Sequence, residues 1–316
     1  MRNHLNLAHT IHKDCVHYGW DNTIAPVRTV TPGETLLFEC RDAGDGQLNA
    51  DSTAADVLTL DPDRVNPVTG PIHVEGAEPG DALKIAIEEF IPSGLGWTAI
   101  IPEFGLLADQ FTAPALHMWS YDTAIREPAA FSSHASVPLR PFAGTIGVAP
   151  KQTGRHSVIP PRHVGGNMDI CDLCAGTTLY LPVEVPGALL SIGDTHAAQG
   201  DGEVCGTAIE SAMDIAVRIE VIKGAAPPAP YFETSAPLRQ HLDAKGYFAT
   251  TGIGEDLMQA CRDAVSAMID RLTASTRMSA EDSYMLCSVC GDLRISEIVD
   301  APNWVVSFYF PKLVLG

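Results

Sequence analysis

The apolar positions in the first two-thirds of the chain come in short runs, at 27–30, 35–39, 82–90, 145–149, 177–185 and 188–192. Pro and Gly bound most of them, as in E-P-G-D and P-F-A-G, and short bounded runs predict strands. The segment T-L-Y-L-P-V-E-V is rich in the β-branched and aromatic residues that suit a pleated surface. Residues 207–216 have a helical composition. The alternation V-R-I-E-V-I-K within 210–222 overrides it and predicts a short turn followed by a strand. After the A-A-P-P-A-P crossing at 225–230 the period changes. Leu257, Ala260, Cys261, Ala264, Val265, Met268, Ile269 and Leu272 repeat at three-and-four spacing, which predicts an amphipathic helix over 255–274. A second helix is predicted over 279–290, with Ser279 as its N-cap and Asp282 three residues on. The tail, 304–314, alternates as a strand does. Together these elements predict an α+β fold. A mostly antiparallel β body spans 1–224, and an α/β, helical C-terminal part spans 231–316 and packs on it.

Size and charge narrow the function. A chain of 316 residues can bury a sizeable core. No stretch approaches the ~18 consecutive apolar residues of a membrane span. The start, M-R-N-H-L-N-L-A-H-T, has no apolar signal region, so no secretory leader is expected. The eight cysteines then read as reduced thiols in the cytoplasm. A formal charge of −19 argues against nucleic acid and against anionic membranes as partners. It favours a neutral or cationic substrate, although most of it reads as solvated surface. Cys171 with Cys174, and Cys287 with Cys290, have metal-like spacing. The pairs lie far outside the ~15–20 residue separation of a zinc knuckle, so small buried residues are the simpler reading.

Two segments carry the chemistry. Residues 193–206 read G-D-T-H-A-A-Q-G-D-G-E-V-C-G, with Asp194, His196, Asp201, Glu203 and Cys205 among small or polar neighbours. In an extended chain Asp194 and His196 face one side, where carboxylate and imidazole can share a divalent ion. A solvated acidic loop is the plain alternative. Residues 163–172 read H-V-G-G-N-M-D-I-C-D. Here Asn167 and Asp169 share a face if the segment is extended, and Gly165-Gly166 permit positive φ or a close ligand. A Gly-Gly turn feeding a strand is the alternative.

These two segments, in this order, resemble the acetamidase/formamidase family. Tyr18-Gly19-Trp20-Asp21-Asn22, Arg41-Asp42-Ala43 and N-P-V-T-G-P-I-H-V-E-G-A-E-P-G-D at 66–81 are also similar to it. So are G-T-A-I-E at 206–210 and D-L-R-I with V-D-x-P-N between Asp292 and Asn303. The resemblance therefore runs along nearly the whole chain. It implies an α+β homo-oligomer that hydrolyses small amides with a metal, releasing ammonia and a carboxylate.

Amide hydrolysis needs an activated nucleophile, a stabilised oxyanion and an acid for the leaving amine. On that basis Asp169, Asp194 and His196 are expected to hold the metal, with Asp201 as a further ligand or a support. Zinc is the first expectation and calcium is allowed. Glu203 is the expected acid/base, with Glu75 of V-E-G-A-E-P-G-D as its rival. Asn22 and Asn167 are expected to hydrogen-bond the neutral amide. His73 and His163 read as rim or core residues, and Trp20 and Trp97 as core or pocket wall. Two alternatives stay open: a thiol amidase built on Cys205, and a non-catalytic β protein that binds a metal or ligand.

Overall fold

The structure is a computed structural model that describes residues 9–235, 237–299 and 301–315. The M-R-N-H start and Asp300 of V-D-x-P-N lie outside the described residues. The principal strands are β1 (Thr35–Glu39), β2 (Val68–Val74), β3 (Ala82–Pro92), β4 (Leu95–Ile100), β5 (Ala115–Ser120), β6 (Phe142–Gly147) and β7 (Gly165–Asn167). They continue as β8 (Thr178–Pro182), β9 (Leu190–His196), β10 (Met213–Ile222), β11 (Tyr247–Gly254), β12 (Asp292–Glu297) and β13 (Trp304–Pro311). Helices α1 (Leu257–Ser275) and α2 (Ala280–Cys290) stand between β11 and β12. The mostly antiparallel body with helices toward the C-terminus is the predicted fold class.

One sheet has the order Thr10–Ile11, β1, β10, β3, β8, Tyr231–Glu233, and another the order β7, β6, β9, β2, Val16–His17. Leu36, Phe38, Leu83, Ile85 and Ile215 from the first sheet bury against Ile72, Ile146 and Ile192 from the second. A second core joins Ala264, Val265 and Met268 of α1, Tyr284 to Cys287 of α2, and Phe308 and Phe310 of β13 to Ile100, Trp119, Ala197 and Val204. The end of β9 passes from the first core into the second. The segment with Asp194, His196 and Glu203 sits at that junction.

Several elements form for local reasons already visible in the chain. α1 buries Ala260, Ala264, Val265, Met268, Ile269 and Leu272, the stripe its spacing predicts, and Asp256 caps it by accepting from Gln259 N–H at 2.9 Å. Ser279 caps α2 by accepting from Asp282 N–H at 3.0 Å. Other elements run further than the pattern suggests. The run at 188–192 is the first part of β9, which continues through Asp194 to His196 with every residue buried. The strand β2 crosses Gly70-Pro71, a pair that reads as a break, because its neighbours β9 and Arg28–Val30 supply the pairing.

Candidate active site

β6 and β9 pair with Thr145 opposite Gly193 and Ala143 opposite Thr195, so Gly144 faces Asp194. Asp194 has φ 53°, and its Oδ1 lies 3.2 Å from His196 Nε2. A Cβ on Gly144 would stand 2.4 Å from Asp169 Oδ1 and 2.9 Å from both Asp194 Oδ2 and His196 Cε1. Only glycine leaves room for the cluster there. Asp169 arrives from the turn after β7, with φ 49° and its N–H donating to Gly144 C=O. Glu203 sits on the next turn at φ 42°. Glu210 bridges to His196 across the backbone, and its Oε2 is 3.0 Å from His196 Nε2.

Asp169, His196 and Glu203 offer ligand atoms that all lie within 4.8 Å of one another, and so do Asp194, His196 and Glu210. The imidazole is oriented by Gln199. Its Nε2 donates to Asp169 C=O at 2.8 Å, so its Oε1 faces His196 Nδ1 at 2.9 Å and accepts the ring proton there. That arrangement aims His196 Nε2 into the carboxylates. Asn66 Nδ2 donates to Asp194 Oδ2 at 3.3 Å, and Thr145 Oγ1 donates to Asn167 Oδ1 at 2.8 Å.

Charge balance here is poor. Among the described residues, the ion pairs of these four carboxylates are with His196 alone. Asp169 Oδ1 is buried without a hydrogen-bond partner, while Glu210 Oε2 is buried with the His196 imidazole 3.0 Å away. Burial, then the Asp194 charge, pushes Asp169 up to about 7. Burial, then Asp169, pushes Glu203 well above the usual carboxylate range. Burial also raises Glu210, against the pull of His196. For His196 burial acts downward, but Glu210 and Asp194 together outweigh it and hold the imidazole well above its ordinary value. The group thus keeps protons that a divalent cation could replace. An orphaned carboxylate oxygen, an aimed imidazole nitrogen and excess negative charge all fit such a cation.

The cluster floors a cavity of about 380 Å³, with Trp97 on one wall and Asn66 and Asn167 beside the carboxylates. Trp97 Nε1 donates to Asp42 Oδ1 at 3.0 Å, which fixes that wall.

Asp169, Asp194, His196, Glu203 and Asn167 of the expected set meet at this cavity. Three others are placed elsewhere. Asp201 turns away at Gly202, which has φ 100°, and its Oδ2 pairs with Arg239 at 2.8 Å. Glu75 is exposed and accepts from Thr31 Oγ1 at 3.2 Å, beyond the far end of β2. Asn22 spends its amide on the backbone carbonyls of Pro150, Lys151 and Gln152. His73 packs on Gly187, His163 faces Glu184 Oε1 at 2.9 Å, and Trp20 is core. Cys205 is buried against Ala99 C=O and Thr207, and burial raises its thiol, so it lacks the base and access of a nucleophile. All eight cysteines are free. Glu210 and Asn66 are the residues sequence reasoning missed. Each stands at one end of a quoted motif, and Glu210 is a lone carboxylate in the otherwise uncharged stretch T-A-I-E-S-A-M.

The model of the Acetamidase/Formamidase family matches residues 4–158 and 152–315. The chain is 31% identical to the acetamidase of Mycolicibacterium smegmatis, covering 66% of each protein. It is 27% identical to the formamidase of Methylophilus methylotrophus, over 94% of this chain and 88% of that one. Its fold is similar to that of a gamma lactamase from Delftia acidovorans, with TM-score 0.87, 25% identity, and coverage of 95% of this chain and 89% of that one. It is also similar to an acetamidase from Bacillus halodurans, with TM-score 0.67, 31% identity, and coverage of 96% and 97%.

Proposed function

The chain belongs to the acetamidase/formamidase family and is an amidohydrolase, and we propose that it cleaves small neutral amides to ammonia and a carboxylate with the help of a divalent metal. The supporting observation is the orphaned Asp169 Oδ1, buried with Asp194, Glu203 and Glu210 around a His196 Nε2 that Gln199 aims inward. Asp169, Asp194, His196 and Glu210 would hold the ion, which when bound polarises a carbonyl and acidifies water. Zinc suits the mixed oxygen and nitrogen donors first, and calcium is allowed.

The chain's own groups supply the rest. Glu203, raised by burial and by Asp169, holds a proton at a pH where an ordinary carboxylate has lost it. It is the acid/base that passes a proton to the leaving nitrogen. Asn167, anchored by Thr145 and by its own bond to Ile159 C=O, presents a neutral amide beside the carboxylates. Four carboxylates and a net charge of −19 repel an anionic amide. Reduced thiols fit a cytoplasmic protein, and no helix among the described residues is long and apolar enough to cross a membrane. Exposed Ile253, Met258 and Ile295 on the C-terminal part would suit a homo-oligomer.

Ammonia release from acetamide after prolonged chelation tests the reading. Activity should vanish and return with Zn²⁺ or another divalent ion, and Cys205→Ala should keep most of it. Full activity in metal-free protein would end the metal reading. A dead Cys205→Ala with unchanged metal content would install the thiol in its place.

A further inference from the structure

The catalytic cluster occupies one end of a space far larger than formamide or acetamide needs. Water takes about 30 Å³ of liquid, and either amide takes the room of roughly two or three waters. The cavity holds about 380 Å³, within the range that encloses drug-sized ligands. Away from the carboxylates, His196, Thr207 and the two asparagines its lining is mostly apolar. Val57, Leu60 and Val65 come from the segment that ends at Asn66, and Ile101, Phe104 and Ile159 complete the wall and mouth. Phe104 and Ile159 are 47% and 38% exposed, so a small amide leaves apolar surface facing water at the entrance.

We propose that the preferred substrate is an amide whose carbonyl carries a bulky apolar group of roughly five to nine carbons, enough to fill such a space. This rests on the amidohydrolase reading above and names its substrate class. The carbonyl lies at the cluster and the apolar group runs along Val57, Leu60 and Ile101 toward Phe104 and Ile159. Water adds its oxygen to the carbonyl carbon, the C–N bond breaks, and a proton moves to the nitrogen. An open-chain amide then gives a carboxylate and ammonia. A lactam of the same bulk gives a single amino acid and no ammonia. Each methylene taken out of water is worth about fourfold in binding. The wall touches ground and transition state alike, so the gain appears in KM and kcat/KM rather than in kcat.

The test is kcat/KM for formamide, acetamide, hexanamide, phenylacetamide and a bicyclic γ-lactam, with ammonia and ring opening measured separately. Hexanamide or phenylacetamide should exceed acetamide by at least ~10-fold, mostly through KM. Faster turnover of the lactam than of acetamide supports the same class with the amine tethered. Val57→Phe narrows the inner wall, and Ile159→Trp narrows the exposed rim where a large side chain is tolerated. Each should lower the hexanamide-to-acetamide ratio several-fold. Formamide or acetamide as the best substrates would overturn the substrate class and leave the amidohydrolase standing. A ratio unchanged in folded Ile159→Trp would also overturn it. Metal-loaded protein that hydrolyses no amide of any size would overturn the underlying reading instead.

Discussion

The floor of the cavity gathers four carboxylates around His196, on backbone that takes positive φ at Asn66, Asp169, Asp194 and Glu203. Its apolar wall includes Val57, Leu60 and Val65, which lie on and after the short helix Ala54–Val57 with none of that strain. Only nine non-glycine residues among those described have positive φ, and four of them are at the floor. Strain of this kind costs of order 1–3 kcal/mol per residue and persists where the surroundings over-determine it. The surroundings here are β6 and β9, paired on both sides and buried. The two ends should therefore respond differently to change. The floor tolerates almost none, because its atoms must converge. The wall needs only to stay apolar and to keep its volume.

The largest expected effect tests whether the floor is chemical. Glu203→Gln keeps shape and hydrogen-bonding ability but cannot cycle a proton. Its kcat should fall by about 10²–10⁴ while metal content and KM hold. An unchanged kcat would remove Glu203 from acid/base work. Loss of metal would make it a ligand.

Gly144→Ala should come next. Its Cβ would sit 2.4 Å from Asp169 Oδ1, so Asp169 or the strand must move. We expect a loss of about 1–3 kcal/mol in stability and at least ~10-fold in activity, since misplacement of reacting groups by about an ångström is costly. Calorimetry and the ammonia assay check both. Wild-type activity in this variant would mean that the cluster is looser than its geometry.

The smallest effect is one of pH, and it reads the floor without activity. Asp169 titrates at about 7 in the folded protein against an ordinary 3.8. A raised carboxyl contributes stability that is fully present below its unfolded value and is lost as pH rises through its folded value. Glu203, Glu210 and His196 are raised as well and act in the same direction. His17 and His241, held near 4 by burial, act in the opposite direction but only below about 6.5. Metal-free protein should therefore melt a few degrees lower at pH 8 than at pH 6, on the order of 1 kcal/mol. A divalent ion should remove most of that difference. Equal melting points at both pH values in metal-free protein would contradict the shifts at the floor.

What was legible in the chain follows the range of the interaction. α1, α2 with its Ser279 cap, and strand β1 lie where periodicity and the capping residue put them, because neighbours within about four residues decide helix faces and caps. Asp194 and His196 were also readable as a pair, since two residues of extended chain place them on one side. β2 was not, because its Gly-Pro pair looks like a break and its partners are distant in sequence.

The division of labour among the acids needed the tertiary structure. Asp201 and Glu203 are two residues apart with the same local signal, yet the turn at Gly202 sends one to Arg239 and the other to the cavity. Glu210 and Asn66 carry only a weak local mark, and the pairing of β9 with its neighbours brings them to His196 and Asp194. Residue type and spacing by themselves determined that this chain brings carboxylates and an imidazole close together along one segment, a set able to share a divalent ion. Which of them converge, and how much apolar room lies beside them, was decided by contacts between separate segments, from the nearby turns that carry Asp169, Glu203 and Glu210 to Asn66, 128 residues from Asp194, and no local pattern encodes these.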